Sequence, residues 1–345
     1  MNLPDHAWLE AQRQRGDPLA DAVVTELVRN PGPESADLFA AVEARAPEDA
    51  ACAALLRAVT TVPDWVDFSR MARGTALGVT HSVHSALSLL LGSLVESYAS
   101  ARAAKVLIRS RRLEQDTVRR LRDTATFALC IARSGGAPPG SGAHRHVVKV
   151  RLVHAFIRHG MLHRRDWDPS WGLPVNQEDY ASTLLMFSHV YLRGLGRLGI
   201  RLSATEEDSV HHTYRWVGYL MGVTPELLTA TRDEERALYE LITRRQFRPD
   251  EDSRVLAHAL IDTMGGRPPL FLPRRALYAL SRHLIGDALA DELAFPAPGS
   301  WSATPAIVAA CGRLQQVVLE APAGAPIGHW VGERVASAML EYGLR

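Results

Sequence analysis

The chain has 345 residues, 47% of them hydrophobic, and its 39 Lys and Arg against 38 Asp and Glu give a formal net charge of +1. This balance, without a basic stripe interleaved with aromatic residues, argues against a nucleic-acid partner. The three cysteines, Cys52, Cys130 and Cys311, show no CxxC spacing. They argue against a zinc knuckle or a disulfide framework and fit a reducing compartment.

The N-terminal residues contain no basic segment followed by an apolar stretch, so we expect no export signal. The longest apolar run, 86–95, is interrupted by Ser88, Gly92 and Ser93. It falls well short of the roughly 20 residues that span a bilayer. The sequence therefore predicts a cytoplasmic protein without a transmembrane segment.

Helical periodicity dominates the chain and period-2 alternation is scarce, which predicts an all-α protein forming a single domain over 1–345. A glycine-rich stretch at 134–142 follows a predicted helix rather than a strand and lacks the GK[ST] ending of a phosphate-binding loop. The predicted helices cover 18–29, 35–46, 48–60, 64–73, 75–101, 103–109, 115–134, 145–163, 176–198, 203–221, 224–228, 231–245, 250–264, 273–285, 287–293, 304–318 and 328–342.

One predicted helix carries Arg120 and Thr124 four residues apart, hence on the same face. Two interpretations are open. The pair could form a polar site, or this helix could present an exposed basic surface, because Arg119 and Arg122 lie nearby and runs of charge are usually solvated.

The next predicted helix is apolar apart from a narrow stripe formed by Arg151, His154 and Arg158. At about 100° per residue these three side chains lie at roughly 0°, 300° and 340° around the helix axis. Because burying two unpaired guanidinium groups would cost several kcal/mol, we expect anions beside them. Haem propionates would serve, with the His154 imidazole on the iron.

These segments, in their order and spacing, resemble the rubber oxygenase catalytic domain family. The resemblance rests on Arg120-x3-Thr124, Arg151-x2-His154-Ala-x2-Arg158 and Trp171-Gly-x-Pro-x-Asn176-Gln-x-Asp179. Further similarity lies in Pro63–Asp67 and Tyr214–Val223, so that the resemblance covers roughly 60–265. From the residues alone, Asn176 and Asp179 are best interpreted as a helix capping box.

The resemblance implies an all-α, globin-like core with additional surrounding helices, holding haem b. It implies that His154 is the proximal iron ligand and that Arg151 and Arg158 are the adjacent arginines. Arg120 and Thr124 would lie close to the haem and take part in catalysis.

The distal side matches less well, because the family's distal lysine and glutamate have no clear counterparts. Lys105 and Lys149, the only lysines, lie outside 64–100, where a distal helix is expected. His81 and His84 share a helix face and could supply a sixth ligand, although isolated helical histidines are more often packed or surface residues. Glu96 is the only carboxylate in that long apolar helix and is a candidate catalytic base.

The expected function is therefore a haem b-dependent oxygenase that acts with O2 on a C=C bond of a hydrophobic small molecule, such as a terpenoid, polyene or lipid-like metabolite. Cleavage to two carbonyl products is one expected outcome. A non-catalytic haem-binding or sensor protein, and a helical relative that has lost haem, remain alternatives at this point. The sequence does not specify the oligomeric state.

Overall fold

A computed structural model describes residues 5–30, 37–109, 113–164, 167–267, 271–321 and 324–342. Helices hold 76% of the residues, which confirms the predicted all-α class. The only strand-like pairing in the described part is an isolated bridge between Ser100 and Phe247. The α-helices in chain order are α1 His6–Arg13, α2 Pro18–Arg29, α3 Leu38–Arg45, α4 Ala50–Thr60, α5 Phe68–Thr80, α6 Ser82–Leu87, α7 Leu94–Ser97, α8 Ala101–Arg109, α9 Leu113–Arg133, α10 Gly142–Leu162, α11 Gln177–Leu185, α12 Tyr191–Arg197, α13 Ala204–Leu220, α14 Arg232–Gln246, α15 Glu251–Met264, α16 Arg274–Ile285, α17 Asp287–Glu292, α18 Thr304–Glu320 and α19 Gly324–Tyr342.

The helix boundary predicted at Gly74 is wrong. We expected a break at Gly74, whereas α5 runs through this residue and the chain turns at His81, with a bend of 90° between α5 and the helix that follows. A Cβ atom on Gly74 would lie 2.5 Å from the backbone of Ser209 on α13. The glycine therefore serves close helix packing rather than termination.

Two segments wind as π-helices, Ser88–Ser93 between α6 and α7 and Met186–Val190 between α11 and α12. They pack against each other. Ser93 Oγ donates to the carbonyl of Met186 at 2.7 Å, and Ser88 Oγ donates to that of Tyr191 at 2.8 Å. Such single-turn π segments leave carbonyls without their usual partners and occur frequently beside functional sites.

The apolar core has two main parts. The larger unites residues of α2, α4, α10, α11 and α13 around the fully buried Trp216. The second unites the segment 87–98 with α15 and α16. Helices α9 and α10 contribute to these clusters, Val147 and Ile131 to the first and Leu121 to the second.

Among the described residues, no single helix is both long and apolar enough to cross a membrane. The segments 68–80 and 82–97 meet the length and composition criteria only as a pair bent by 90°.

Candidate cofactor site

Helices α9 and α10 form a hairpin around a tight turn. The turn contains Gly135, Gly136 and Gly140, all with positive φ, and Ser141 caps α10 by accepting a hydrogen bond from the backbone N–H of His144. The glycine-rich stretch is thus a helix connection, which explains why its motif did not match a phosphate-binding loop.

The hairpin places the two helices that carry the predicted site residues side by side. Phe127 on α9 contacts His146 on α10, with 6.2 Å between ring centroids. Helices joined by a short turn run antiparallel, so equal steps away from this contact lead to Arg120 on α9 and Val153 on α10. Arg120 and His154 are thus seven and eight residues from this contact, on the same side of it.

His154 occupies a largely enclosed position on α10. Its Nδ1 atom is buried without a hydrogen-bond partner, and the residue as a whole is half-buried. Its ring lies 5.6 Å from that of Tyr180 on α11, centroid to centroid. Burial, and secondly the Arg158 guanidinium, lower the pKa of His154 to about 4. The imidazole is therefore neutral at physiological pH, the form that binds a metal.

Arg151 and Arg158 bind protein carboxylates, which corrects the expectation that they hold haem propionates. Arg151 donates to Asp17 through Nε at 2.6 Å and Nη2 at 2.7 Å. Arg158 donates to Asp21 through Nε at 2.9 Å and Nη2 at 2.7 Å. Both aspartates lie at the start of α2, which packs along α10. The stripe is buried and its charges are neutralised as predicted, but the anions come from the chain itself.

The remaining polar contacts of this pair of arginines come from backbone carbonyls. Arg151 Nη1 donates to the carbonyl of Leu220 at 3.2 Å, and Arg158 Nη1 donates to that of Val175. Val175 has φ +51°, an uncommon conformation for a β-branched residue. The capping box that follows it, Asn176 with Asp179, is present as predicted.

Arg120 is a cation whose buried atoms lack partners. Its Nε and Nη1 atoms are buried and make no hydrogen bond to the described residues. Its charge acts on the nearby Tyr98, whose pKa is raised by burial and partly lowered again by Arg120. Thr124 lies one turn further along α9 and is half-buried. An unpaired buried guanidinium is costly, so this position suits an anionic ligand.

The stretch of α9 from Thr124 to Cys130 is mostly apolar and contains no fully buried residue, although Leu121 and Ile131 on either side of it are buried. Every residue from Thr124 to Cys130 is half-buried, although α9 has α5, α10, α15 and α19 as neighbours. Phe127 also contacts Phe187 of the second π-helix, with 5.8 Å between centroids. Close-packed interiors leave little accessible surface on an apolar helix, so this pattern indicates space beside α9.

Glu96 lies in a buried polar cluster with Arg193 and Tyr239. It accepts hydrogen bonds from both side chains, and burial raises its pKa. Arg193 Nη1 in turn donates to Tyr239 Oη at 2.7 Å. The His189 ring lies 4.6 Å from that of Tyr239. The contacts of Glu96 are therefore with α12 and α14, and none is with His154, Arg120 or Thr124.

His81 and His84 face helix α18, so their contacts do not support the prediction that they could supply a sixth ligand. His84 Nε2 would lie 3.1 Å from a Cβ atom on Gly312, and Gln315 adjoins both rings. The Nδ1 atom of each ring is buried without a hydrogen bond. The bend at His81 turns this segment toward α18, and sequence periodicity could not show that.

Protein side chains alone do not assemble a metal centre in the described ranges, where no group of three or more His, Cys, Asp and Glu could hold an ion. A single histidine beside an apolar space is the donor set of a group that brings its own equatorial ligands, as a porphyrin does. His154, Arg120 and the space beside α9 therefore fit a haem.

The family model described as "ER-bound oxygenase mpaB/B'/Rubber oxygenase, catalytic domain" matches residues 81–318. The chain belongs to this oxygenase family. The match includes α9, α10, the π-helices and most of α18, and it extends further toward the C-terminus than the motif resemblance did. No curated protein matches the sequence.

The fold is similar to a solved structure of latex clearing protein in the closed state. The TM-score is 0.73 at 20% sequence identity, with 94% of this chain and 91% of that chain covered. At this identity the likeness establishes the all-α fold.

Three site residues were not found from the sequence. Asp17 and Asp21 neutralise the stripe, and the Tyr180 hydroxyl is buried near Arg158 without a hydrogen bond of normal geometry. The only local signal was Asp17-Pro18, a helix start. That signal predicts a cap, and it carries no information about a partner 134 residues away.

Proposed function

We propose that this oxygenase depends on haem b and acts with O2 on a C=C bond of a hydrophobic small molecule, a terpenoid, polyene or lipid-like compound. The observation that carries this proposal is His154, a neutral imidazole on an apolar helix whose buried Nδ1 has no hydrogen-bond partner, next to the half-buried, mostly apolar stretch of α9. Family membership supports the oxygenase class, and the donor set supports the haem.

His154 would hold the haem iron through a ring nitrogen, and Arg120 would neutralise a carboxylate of the same group. Arg151 and Arg158 would act indirectly, because their bonds to Asp17 and Asp21 fix the rotation of α10. That rotation determines where the His154 ring points. When bound, haem b would supply the iron that activates O2.

The substrate would lie against apolar, half-buried side chains near the hairpin, among them Phe127, Val150 and Phe187. These groups offer no charge and no hydrogen bond, so they favour a hydrocarbon chain and exclude water from it. Cleavage balances without another reactant: one C=C bond and one O2 give two C=O groups.

Haem binding is tested by absorption spectra and haem-to-protein ratios of protein from iron-supplemented cells. His154→Ala should lose the Soret band, whereas His163→Ala, an exposed position at the end of the same helix, should keep it. Full haem content and an unchanged spectrum in His154→Ala would refute the assignment.

The role of Arg120 has a matched control one residue away. Arg120→Leu should lower haem retention during gel filtration several-fold, whereas Arg119→Leu, which removes an exposed charge, should leave it unchanged. Equal retention in the two variants would remove Arg120 from the cofactor site.

Turnover is tested by O2 consumption with a short polyisoprenoid and a conjugated polyene, and by mass spectrometry of carbonyl products trapped with a hydrazine. Haem-loaded protein should consume O2 and yield paired carbonyl fragments only when an olefin is present. Stoichiometric haem without O2 consumption across these olefins would favour a non-catalytic haem protein.

A further inference from the structure

The C-terminal helices α18 and α19 bury small residues and expose large ones. Gly312 lies against the carbonyl of Leu198, and Gly332 lies against that of Val79, where an added Cβ would come within 2.3 Å and 2.0 Å. A surface helix of a soluble domain ordinarily does the opposite and turns its large apolar side chains inward. This inversion leaves an apolar face on the outside of the molecule.

We call this surface the C-terminal face. Its side chains are large, aliphatic or aromatic, and each is at least 44% exposed. The face consists of Ile307, Leu314, Val317 and Val318 on α18 and Ile327, Trp330 and Val331 on α19. The two helices that carry these residues pack against each other.

The spacing on α18 is that of a helix that pairs with another helix. Ile307, Ala310, Leu314 and Val317 are all exposed and follow one another at intervals of three, four and three residues. At about 100° per residue they occupy a stripe about 80° wide, the geometry of an a/d seam. An apolar face without a helical partner would not require this spacing of three and four residues.

From these features we propose that the C-terminal face is a dimer interface with a second copy of this chain, in which α18 pairs antiparallel with its counterpart. The exposed apolar side chains offer on the order of 700 Å² per copy, close to the roughly 800 Å² per partner of a standard stable interface. A self-complementary face closes on itself around a two-fold axis.

Charge favours a protein partner over a lipid surface. Arg313 is the only charged residue between Thr304 and Leu319. Helices that lie on membranes carry several basic residues on their polar face. Arg334 lies over the Trp330 ring, 4.4 Å from its centroid, and Glu333 pairs with Arg133 at 2.9 Å. The charges nearest the apolar face are thus engaged within the molecule.

An exposed cysteine lies near the expected axis. In antiparallel pairing, the middle of the seam lies next to its own copy, and Cys311 is one residue from the midpoint of 307–317 and beside the stripe. Cys52 is buried and Cys130 is half-buried, so Cys311 is the cysteine open to a reagent.

The proposal is tested by sedimentation equilibrium of the haem-loaded full chain between about 5 and 100 μM. Wild type should have twice the monomer mass, and Leu314→Glu should be monomeric, because burying a carboxylate in an apolar interface is costly. Val255→Glu, an equally drastic change at an exposed valine of α15, should remain dimeric. Leu314 is 65% exposed, so its variant should retain the wild-type Soret band and circular dichroism.

A short bis-maleimide should crosslink the wild-type dimer and fail to crosslink Cys311→Ser. A monomeric wild type, a dimeric Leu314→Glu, or a crosslink that survives in Cys311→Ser would overturn the proposal. So would monomeric protein that sediments with phosphatidylserine vesicles, which would assign the face to lipid. Haem content is measured on the same samples, so loss of the dimer is distinguishable from failure of the proposed function.

Discussion

Arg151 and Asp17 form a buried two-pronged ion pair that joins α10 to the first turn of α2. Asp17 also caps α2 by accepting a hydrogen bond from the backbone N–H of Ala20 at 3.3 Å. One carboxylate thus neutralises a buried guanidinium and fixes a helix start at once. The pair lies three residues along α10 from His154, so it orients the helix that carries the candidate ligand.

Asp17→Ala should lower the unfolding free energy by about 3–5 kcal/mol, because it leaves Arg151 buried without a counterion. The measurement is urea unfolding followed by circular dichroism. Glu240→Ala removes one partner of an exposed ion pair with Arg244 and should cost less than about 1 kcal/mol. Comparable losses in the two variants would show that the buried pair contributes no more than a surface one.

The sequence predicted what depends on local periodicity. Most helices, the burial of the stripe around His154, and the capping box at Asn176 follow from residue spacing and are present in the structure. The helix α1 was missed, because eight residues beginning at His6 are too few for a clear period.

What the sequence could not predict depends on partners distant in the chain. A periodic pattern shows that Arg151 is buried, but many anions would satisfy it, and the choice of Asp17 is a tertiary property. The neighbours of His84 on α18 are likewise a tertiary property, because they depend on the bend at His81. At Gly74 the local signal was misleading: glycine is typical of helix ends, but here it allows close contact between α5 and α13.

The ion pair between Arg151 and Asp17 requires a glycine at position 222. It has φ +81°, and an added Cβ would lie 2.6 Å from Asp17 Oδ2 and 2.7 Å from Arg151 Cζ. Gly222→Ala should therefore destabilise the protein through backbone strain and through displacement of the pair. Gly140→Ala is the control, because Gly140 has φ +79° with nothing within 4 Å.

The control should cost about 1 kcal/mol, the price of the left-handed conformation alone, and Gly222→Ala should cost at least about 2 kcal/mol. Thermal unfolding of both variants gives the comparison. Equal shifts in melting temperature would mean that the ion pair adjusts freely to the added methyl group.

The contacts of Glu96 favour a structural role over the catalytic base considered from the sequence. Glu96→Gln should lower the unfolding free energy by about 2 kcal/mol or more, because Arg193 loses its charged partner. Tyr239→Phe removes only a hydroxyl and should cost about 0.5–1.5 kcal/mol. Urea unfolding is paired with turnover per bound haem. An unchanged unfolding midpoint with lost turnover would instead support the catalytic base.

The lowered pKa of His154 predicts a defined pH dependence of stability. Above pH 6.5 its imidazole is neutral in both the folded and the unfolded chain. Between pH 6.5 and about 4 the unfolded chain binds a proton that the folded one does not, so acidification lowers the unfolding free energy across this window.

His154→Leu removes that contribution. In protein prepared without haem, the variant's stability relative to wild type should be about 2 kcal/mol higher at pH 5 than at pH 7.5. His163→Leu, at an exposed position at the end of α10, serves as the control. Urea midpoints at pH 7.5, 6 and 5 provide the measurement. Because a protonated imidazole cannot bind iron, a stability difference that does not change with pH would show that His154 is not enclosed as described, and would weaken its assignment as the haem ligand.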